Sequence, residues 1–149
     1  MMFAVGFGWA KPVPVDPRYF KRPKEGMALT ALAGPVSNLL LASLAIGISK
    51  VIYLSGYYHP VLDAVFTFCL YILAPLSVGL GLFNLLPIPP LDGAKVLGAL
   101  LPDEAYFRVM RYERYGMLAL ILLSFTGVGS GLMNWGIMTV YSGLFNLFY

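Results

Sequence analysis

With 149 residues, 59% of them hydrophobic and only 11% charged, and a mean hydropathy of +0.78, the chain carries more apolar surface than a soluble core of its length can bury. A water-soluble globular domain is excluded on this ground and a bilayer is expected. The net charge of +3 is small and the basic residues fall in two clusters, which excludes nucleic acid as a partner and points to loops facing anionic lipid and the cytoplasm.

Met1 to Ala10 is apolar from the first residue, with no basic stretch ahead of it and no small-residue cleavage site before Lys11, so it is not a signal peptide. It reads as the tail of a membrane helix whose beginning is absent. Lys11 to Glu25 is a polar loop with Lys11, Arg18, Lys21, Arg22 and Lys24, and Pro12, Pro14, Pro17 and Pro23 rule out a long helix there. The first segment able to cross roughly 30 Å of hydrocarbon, which takes about 20 apolar residues as helix, runs from Met27 to Leu54. It contains Ala31-Leu32-Ala33-Gly34-Pro35-Val36-Ser37-Asn38, followed by Ala42, Ser43, Ala45 and Gly47, and small residues of this kind let neighbouring backbones approach. Two readings of Asn38 stand side by side. It is either a hydrogen-bonding link between helices, or it faces the same cavity as Asp92 while Gly34 and Pro35 loosen the helix.

The linker from Ser55 to Pro60 has no Lys or Arg, and its lone His59 is expected to be solvated. A second crossing spans Val61 to Leu86, with a kink expected at Pro75, easier packing at Ser77, Gly79 and Gly81, and Cys69 as a small buried hydrophobe. A second polar stretch, Asp92 to Arg114, sets Lys95, Arg108, Arg111 and Arg114 against Asp92, Asp103, Glu104 and Glu113, and Tyr106 to Tyr115 within it reads as an interfacial amphipathic segment. The third crossing, Tyr115 to Tyr149, is longer than one straight passage, with Gly127, Gly129 and Gly131 as candidate points of division. Placing both basic regions inside makes the first two crossings a hairpin with its turn outside. Tyr19, Tyr53, Tyr57, Tyr58, Tyr112 and Tyr115 then fall near the interfaces as an aromatic belt. The expected architecture is one all-α membrane domain over residues 1–149, a polytopic bundle of about three spanning helices plus an interfacial segment.

Chemistry concentrates in Asn84-Leu85-Leu86-Pro87-Ile88-Pro89-Pro90-Leu91-Asp92-Gly93, where an acid and three prolines end a long apolar run. A carboxylate near hydrocarbon is costly unless paired, hydrated or metal-bound. Pro87, Pro89 and Pro90 remove backbone donors, and such a backbone survives at membrane depth only where it lines a cavity. Asp92 is therefore either a helix N-cap at the membrane edge or a ligand at the mouth of a pocket, and the upstream Asn84 tilts the balance toward a ligand.

Together, Gly8-Trp9-Ala10-Lys11-Pro12-Val13-Pro14-Val15, Ala33-Gly34-Pro35-Val36-Ser37-Asn38 and Asn84 through Gly93 resemble the site-2 protease family of intramembrane zinc metalloproteases, in the variant without an inserted peptide-binding domain. The resemblance covers roughly Val5 to Leu101. It implies zinc as the one cofactor, held by two histidines of a His-Glu-x-x-His motif and by Asp92, with the Glu as general base. It further implies that Asn84 orients the scissile carbonyl of a transmembrane substrate, and that Asn38, Gly34, Pro35, Pro87 and Pro89 shape the substrate cleft. The chain departs from the family at one point: with a single histidine it contains no His-Glu-x-x-His.

The expectation is thus the C-terminal part of an intramembrane metalloprotease in a multi-pass, bacterial inner-membrane setting, with a transmembrane protein or peptide as substrate and the bilayer as partner. On its own the chain is expected to be inactive. The alternative is a non-catalytic membrane protein that binds transmembrane segments without cutting them. A small channel or transporter subunit using Asp92 as an ion site is a third reading, and a homo-oligomer is left open.

Overall fold

The computed structural model describes residues 15–56, 58–102 and 128–149, together with residues 104–106, 108, 115, 116, 118, 120 and 122. Every regular element among them is helical. After a 3-10 turn at Pro17–Tyr19, helix α1 spans Pro23–Ser55, α2 Pro60–Thr67, a π-helical segment Phe68–Leu73, α3 Ala74–Asn84, α4 Asp92–Ala99 and α5 Val128–Phe148. Met1 to Ala10 and most of the Tyr106 to Tyr115 segment lie outside the described residues.

Helix α1 begins four residues before the predicted Met27, because Pro23 fits the first turn of a helix. Its C-terminus is set by Gly56, in the left-handed conformation at φ 62°, whose N–H reaches the Tyr53 carbonyl at 3.4 Å. At 1.5 Å per residue α1 is about 50 Å long, more than the hydrocarbon thickness. Its packing inverts the soluble pattern. Apart from the buried Ile46, the inward residues are small, Ala28, Ala31, Pro35, Ala42, Ala45 and Ser49, while Leu29, Leu40, Leu44, Val51 and Leu54 face outward. Small residues inside and branched residues outside are what helices do when the surroundings are as apolar as the core.

The second apolar run is a continuous helical stretch, Pro60–Asn84, with a change of register inside it. Together with Pro23–Ser55 it is long and apolar enough to cross a membrane. In the π segment the Ala74 N–H bonds to the Cys69 carbonyl five residues back. The same register would make residue 75 the donor for Leu70, but residue 75 is proline. The orphaned Leu70 carbonyl accepts instead from the Tyr141 hydroxyl of α5 at 3.0 Å. The discontinuity predicted at Pro75 thus takes the form of a π turn just ahead of it.

Helix α3 is the middle layer. On one side Gly81 meets Pro35 and Asn38 of α1, and on the other Gly79 meets Ile137 of α5. The core follows from this sandwich: Ala42, Ala45 and Ile46 of α1 pack against Cys69, Leu70, Ala74 and Val78, with Ile137, Val140, Tyr141 and Leu144 closing over them. Cys69 is buried there, as expected. Helix α5 covers the C-terminal part of the third predicted crossing, with Gly129 and Gly131 in its first turn, while Gly127 lies outside the described residues. Lys24, near the start of α1, donates to the Leu101 carbonyl at 2.6 Å and lies 5.5 Å over the Tyr106 ring, fastening the far end of α4.

Candidate functional site

Asn84 is the last residue of α3, and the chain leaves it in successive tight turns, Leu86 N–H to Phe83 carbonyl at 3.1 Å and Leu91 N–H to Ile88 carbonyl at 2.9 Å. Pro87, Pro89 and Pro90 contribute no donors to this loop, and the Pro89–Pro90 bond is cis. The loop closes where Gly93 lies against Leu85 and Leu86. A Cβ at position 93 would overlap both of their carbonyl oxygens, so only glycine fits. Asn84 and Asp92 each sit one residue before a partner in that closure. From outside, Gly116 presses on the Pro89 carbonyl just as closely. Pro87 is exposed and Pro89 half-buried.

Asp92 is the first residue of α4 and not its cap. The N-cap is Leu91, extended at φ −68° and ψ 155°, with no side-chain cap bond, so the N-cap reading of Asp92 is corrected. Its carboxylate is left available, at a helix end whose dipole favours negative charge. Oδ1 accepts from Lys95 Nζ at 3.2 Å, and both side chains are 34% exposed. Oδ2 faces α1 at Gly34, where an added Cβ would stand 3.6 Å away. A larger residue at position 34 would occupy the space in front of the carboxylate.

A cavity of about 220 Å³ surrounds this pair, lined by Val15, Met27, Thr30, Ala31, Asp92 and Lys95. The Thr30 hydroxyl is committed to the Gly26 carbonyl at 2.8 Å, so Asp92 and Lys95 carry the charge of the cavity. Pro35 has no N–H to give the Ala31 carbonyl one turn earlier, which loosens the helix bonding beside the same cavity without interrupting α1.

Gly34, Pro35 and Asn38 divide between two neighbours. Gly34 faces Asp92, whereas Pro35, fully buried, and Asn38 pack against Gly81 of α3. Asn84 lies one turn beyond Gly81 on α3. Among the described residues neither asparagine amide has a hydrogen-bond partner, and both are partly buried. Of the residues singled out by sequence, the structure therefore brings Gly34 to Asp92 and sets Asn38 in the α1–α3 seam that ends at Asn84. Sequence reading missed Lys95 as the partner of Asp92, although the i,i+3 spacing was its signal, and it missed Thr30, Met27 and Gly116, which no local pattern marks.

The donor set is the test for a metal. Among the described residues no three His, Cys, Asp or Glu side chains come together. His59 lies beyond the opposite end of α1, exposed as expected, and its Nδ1 accepts from the Val61 N–H at 3.3 Å to cap α2. Cys69 is in the core. The described residues offer one carboxylate beside an open cavity, which does not by itself make a zinc site.

Residues 47–126 match peptidase family M50. The chain is 38% identical over 135 residues to YwhC of Bacillus subtilis, assigned as a zinc metalloprotease, with 87% of this chain and 60% of that protein aligned. It is 30% identical over 131 residues to zinc metalloprotease MJ0392 of Methanocaldococcus jannaschii, with 86% of this chain and 35% of that protein aligned. The chain thus spans less than two thirds of the length of the first relative and about a third of the second. No solved structure matches it.

Proposed function

The chain belongs to peptidase family M50, the site-2 protease family of membrane metalloproteases, and from that membership we propose that it forms the aspartate-bearing part of an intramembrane zinc metalloprotease that hydrolyses peptide bonds of membrane substrates. The observation that carries this reading is the Asp92 carboxylate at the start of α4, free of any capping role, lying beside Gly34 and lining an open cavity next to helices able to cross a bilayer. Asp92 would be the third zinc ligand, and zinc, when bound, would supply the acidified water. The remaining ligands, the His-Glu-x-x-His pair, would come from outside these 149 residues, and the chain alone would be inactive.

The chain's own residues would prepare the place. Lys95 balances the Asp92 charge, Gly34 keeps the approach to the carboxylate clear, and the loop prolines leave a backbone that does not compete for hydrogen bonds with an extended substrate. Asn84, at the end of α3 with its amide uncommitted, would orient the scissile carbonyl. Asn38, Pro35, Pro87 and Pro89 would shape the cleft. The bacterial inner membrane is the proposed location. The test is Asp92→Ala in the complete protein, which should abolish cleavage of a membrane substrate while the variant melts like wild type; retained activity would remove Asp92 from the site.

A second reading, a cleft that holds transmembrane segments without cutting them, rests on the single histidine of these 149 residues, which leaves them without a His-Glu-x-x-His motif. The two readings separate when the chain is supplied with a His-Glu-x-x-His segment. The protease gains zinc and cleavage, and the binding protein retains the peptide uncut.

A further inference from the structure

Lys50 is the one lysine, arginine or carboxylate between Glu25 and Asp63, a lone charge in the long stretch of α1 beyond its first turn, on a helix able to cross a membrane. It lies near the C-terminal end of α1, about 24 Å along the helix from Gly34 and so remote from the Asp92 cavity. Among the described residues no carboxylate pairs with it. Its ammonium lies 4.5 Å over the Tyr149 ring and 5.9 Å from the Tyr53 ring. Tyr149 is itself fixed, stacked on Phe145 at 4.4 Å with its hydroxyl 3.4 Å from Ser49 Oγ. Two aromatic faces thus hold the charge in one place, and its N–H donors have no anion to meet.

Below this charge runs an apolar groove of about 750 Å³ between α1 and the end of α5, walled by Leu40, Leu44, Gly47, Ile48, Val51 and Phe148. The hydroxyl of Ser43 in the groove is committed to the Leu39 carbonyl at 2.9 Å, so Lys50 is its one polar terminus. From Leu40 to Ile52 the groove is about 18 Å long, close to one leaflet of a hydrocarbon core of roughly 30 Å. A cation at one end and hydrocarbon for one leaflet's depth is the complement of a single amphiphile. A transmembrane peptide needs an apolar track through both leaflets and no cation at its rim.

We propose that this face of α1 binds one anionic phospholipid, its phosphate held by Lys50 and an acyl chain lying in the Leu40–Val51 groove. The site is independent of the protease reading. Its test is native mass spectrometry of the purified chain in detergent with equal amounts of phosphatidylglycerol and phosphatidylcholine of matched acyl chains. One phosphatidylglycerol per chain is expected, favoured about fivefold over phosphatidylcholine, the effect of one lysine at an anionic surface. Lys50→Gln should erase the preference and Lys50→Arg keep it. Gly47→Leu, which fills the groove next to Phe148, should lower retention of both lipids. Circular dichroism melts identify folded variants. Equal retention of the two lipids by wild type, an unchanged preference in Lys50→Gln, or a lipid-free dimer seated on this face would overturn the proposal.

Discussion

The Tyr141 hydroxyl donates to the Leu70 carbonyl at 3.0 Å, and that oxygen is the one whose π-register donor would be residue 75, a proline. A side chain of α5 therefore repairs a backbone defect in the second apolar helix, and the repair ties the two together. Tyr141→Phe should cost about 1–2 kcal/mol, measured by unfolding in mixed micelles. In a Pro75→Ala background residue 75 regains its N–H, so the cost of losing the hydroxyl should shrink. An equal cost in both backgrounds would mean that Pro75 is not the cause.

The Asp92–Lys95 pair is more than a third exposed on both sides, so its contribution to stability is small. Lys95→Gln should change the unfolding free energy by less than about 1 kcal/mol. For activity the order reverses. In the complete protein Asp92→Ala should lower kcat/KM by more than the roughly 10–100-fold that follows loss of a partner outside a metal's own ligands. A steady-state assay on a membrane substrate, set beside melting curves, separates these two effects.

Two glycines near the site make opposite predictions. At Gly93 a Cβ would overlap the Leu85 and Leu86 carbonyls, and backbone cannot move aside as a side chain does, so Gly93→Ala should destabilise by about 1–3 kcal/mol. At Gly34 a Cβ would rest 3.6 Å from Asp92 Oδ2, an ordinary contact. Gly34→Ala should melt like wild type, and Gly34→Leu should keep the fold while blocking the cavity. Thermal melts of the three variants check the ranking.

Sequence made the helical class legible because two apolar runs and their proline- and glycine-bearing ends are local signals, and the loop from Asn84 to Gly93 stood out for the same reason. What it hid were contacts between distant residues. Pro75 announces a discontinuity but not its form as a π turn, because the side chain that accommodates it, Tyr141, lies 71 residues from Leu70. The Gly116 contact with Pro89 is equally unreadable from either end. His59 is exposed, as the sequence suggested, but its capping role went unread, although a polar residue directly before Pro60 is a recognisable helix start. Asp92 was legible as a residue of consequence, but its position inside α4, with Leu91 as cap, depended on how the loop folds back.

Next to Val15, which lines the Asp92 cavity, Asp16 accepts from the Arg18 side chain at 2.8 to 3.1 Å and from the Arg18 N–H at 2.9 Å. The guanidinium first, and the backbone donor second, hold its carboxyl below the ordinary value of 3.8. The depressed value means that the stabilising contribution of this turn is present above the ordinary carboxylate pKa and is lost as pH falls through the lowered one. NMR titration should find the Asp16 midpoint below that of an unpaired aspartate, and Arg18→Gln should raise it.

Helix α4 is held to α1 twice, by Gly34 against Asp92 at its start and by Lys24 on the Leu101 carbonyl just past its end. It follows that α1 and α4 tilt as one lever: leaning α1 within the bilayer carries the carboxylate along and leaves its distance to Gly34 unchanged. A change in membrane thickness that tilts α1 would then move Asp92 with it and leave the space between them closed.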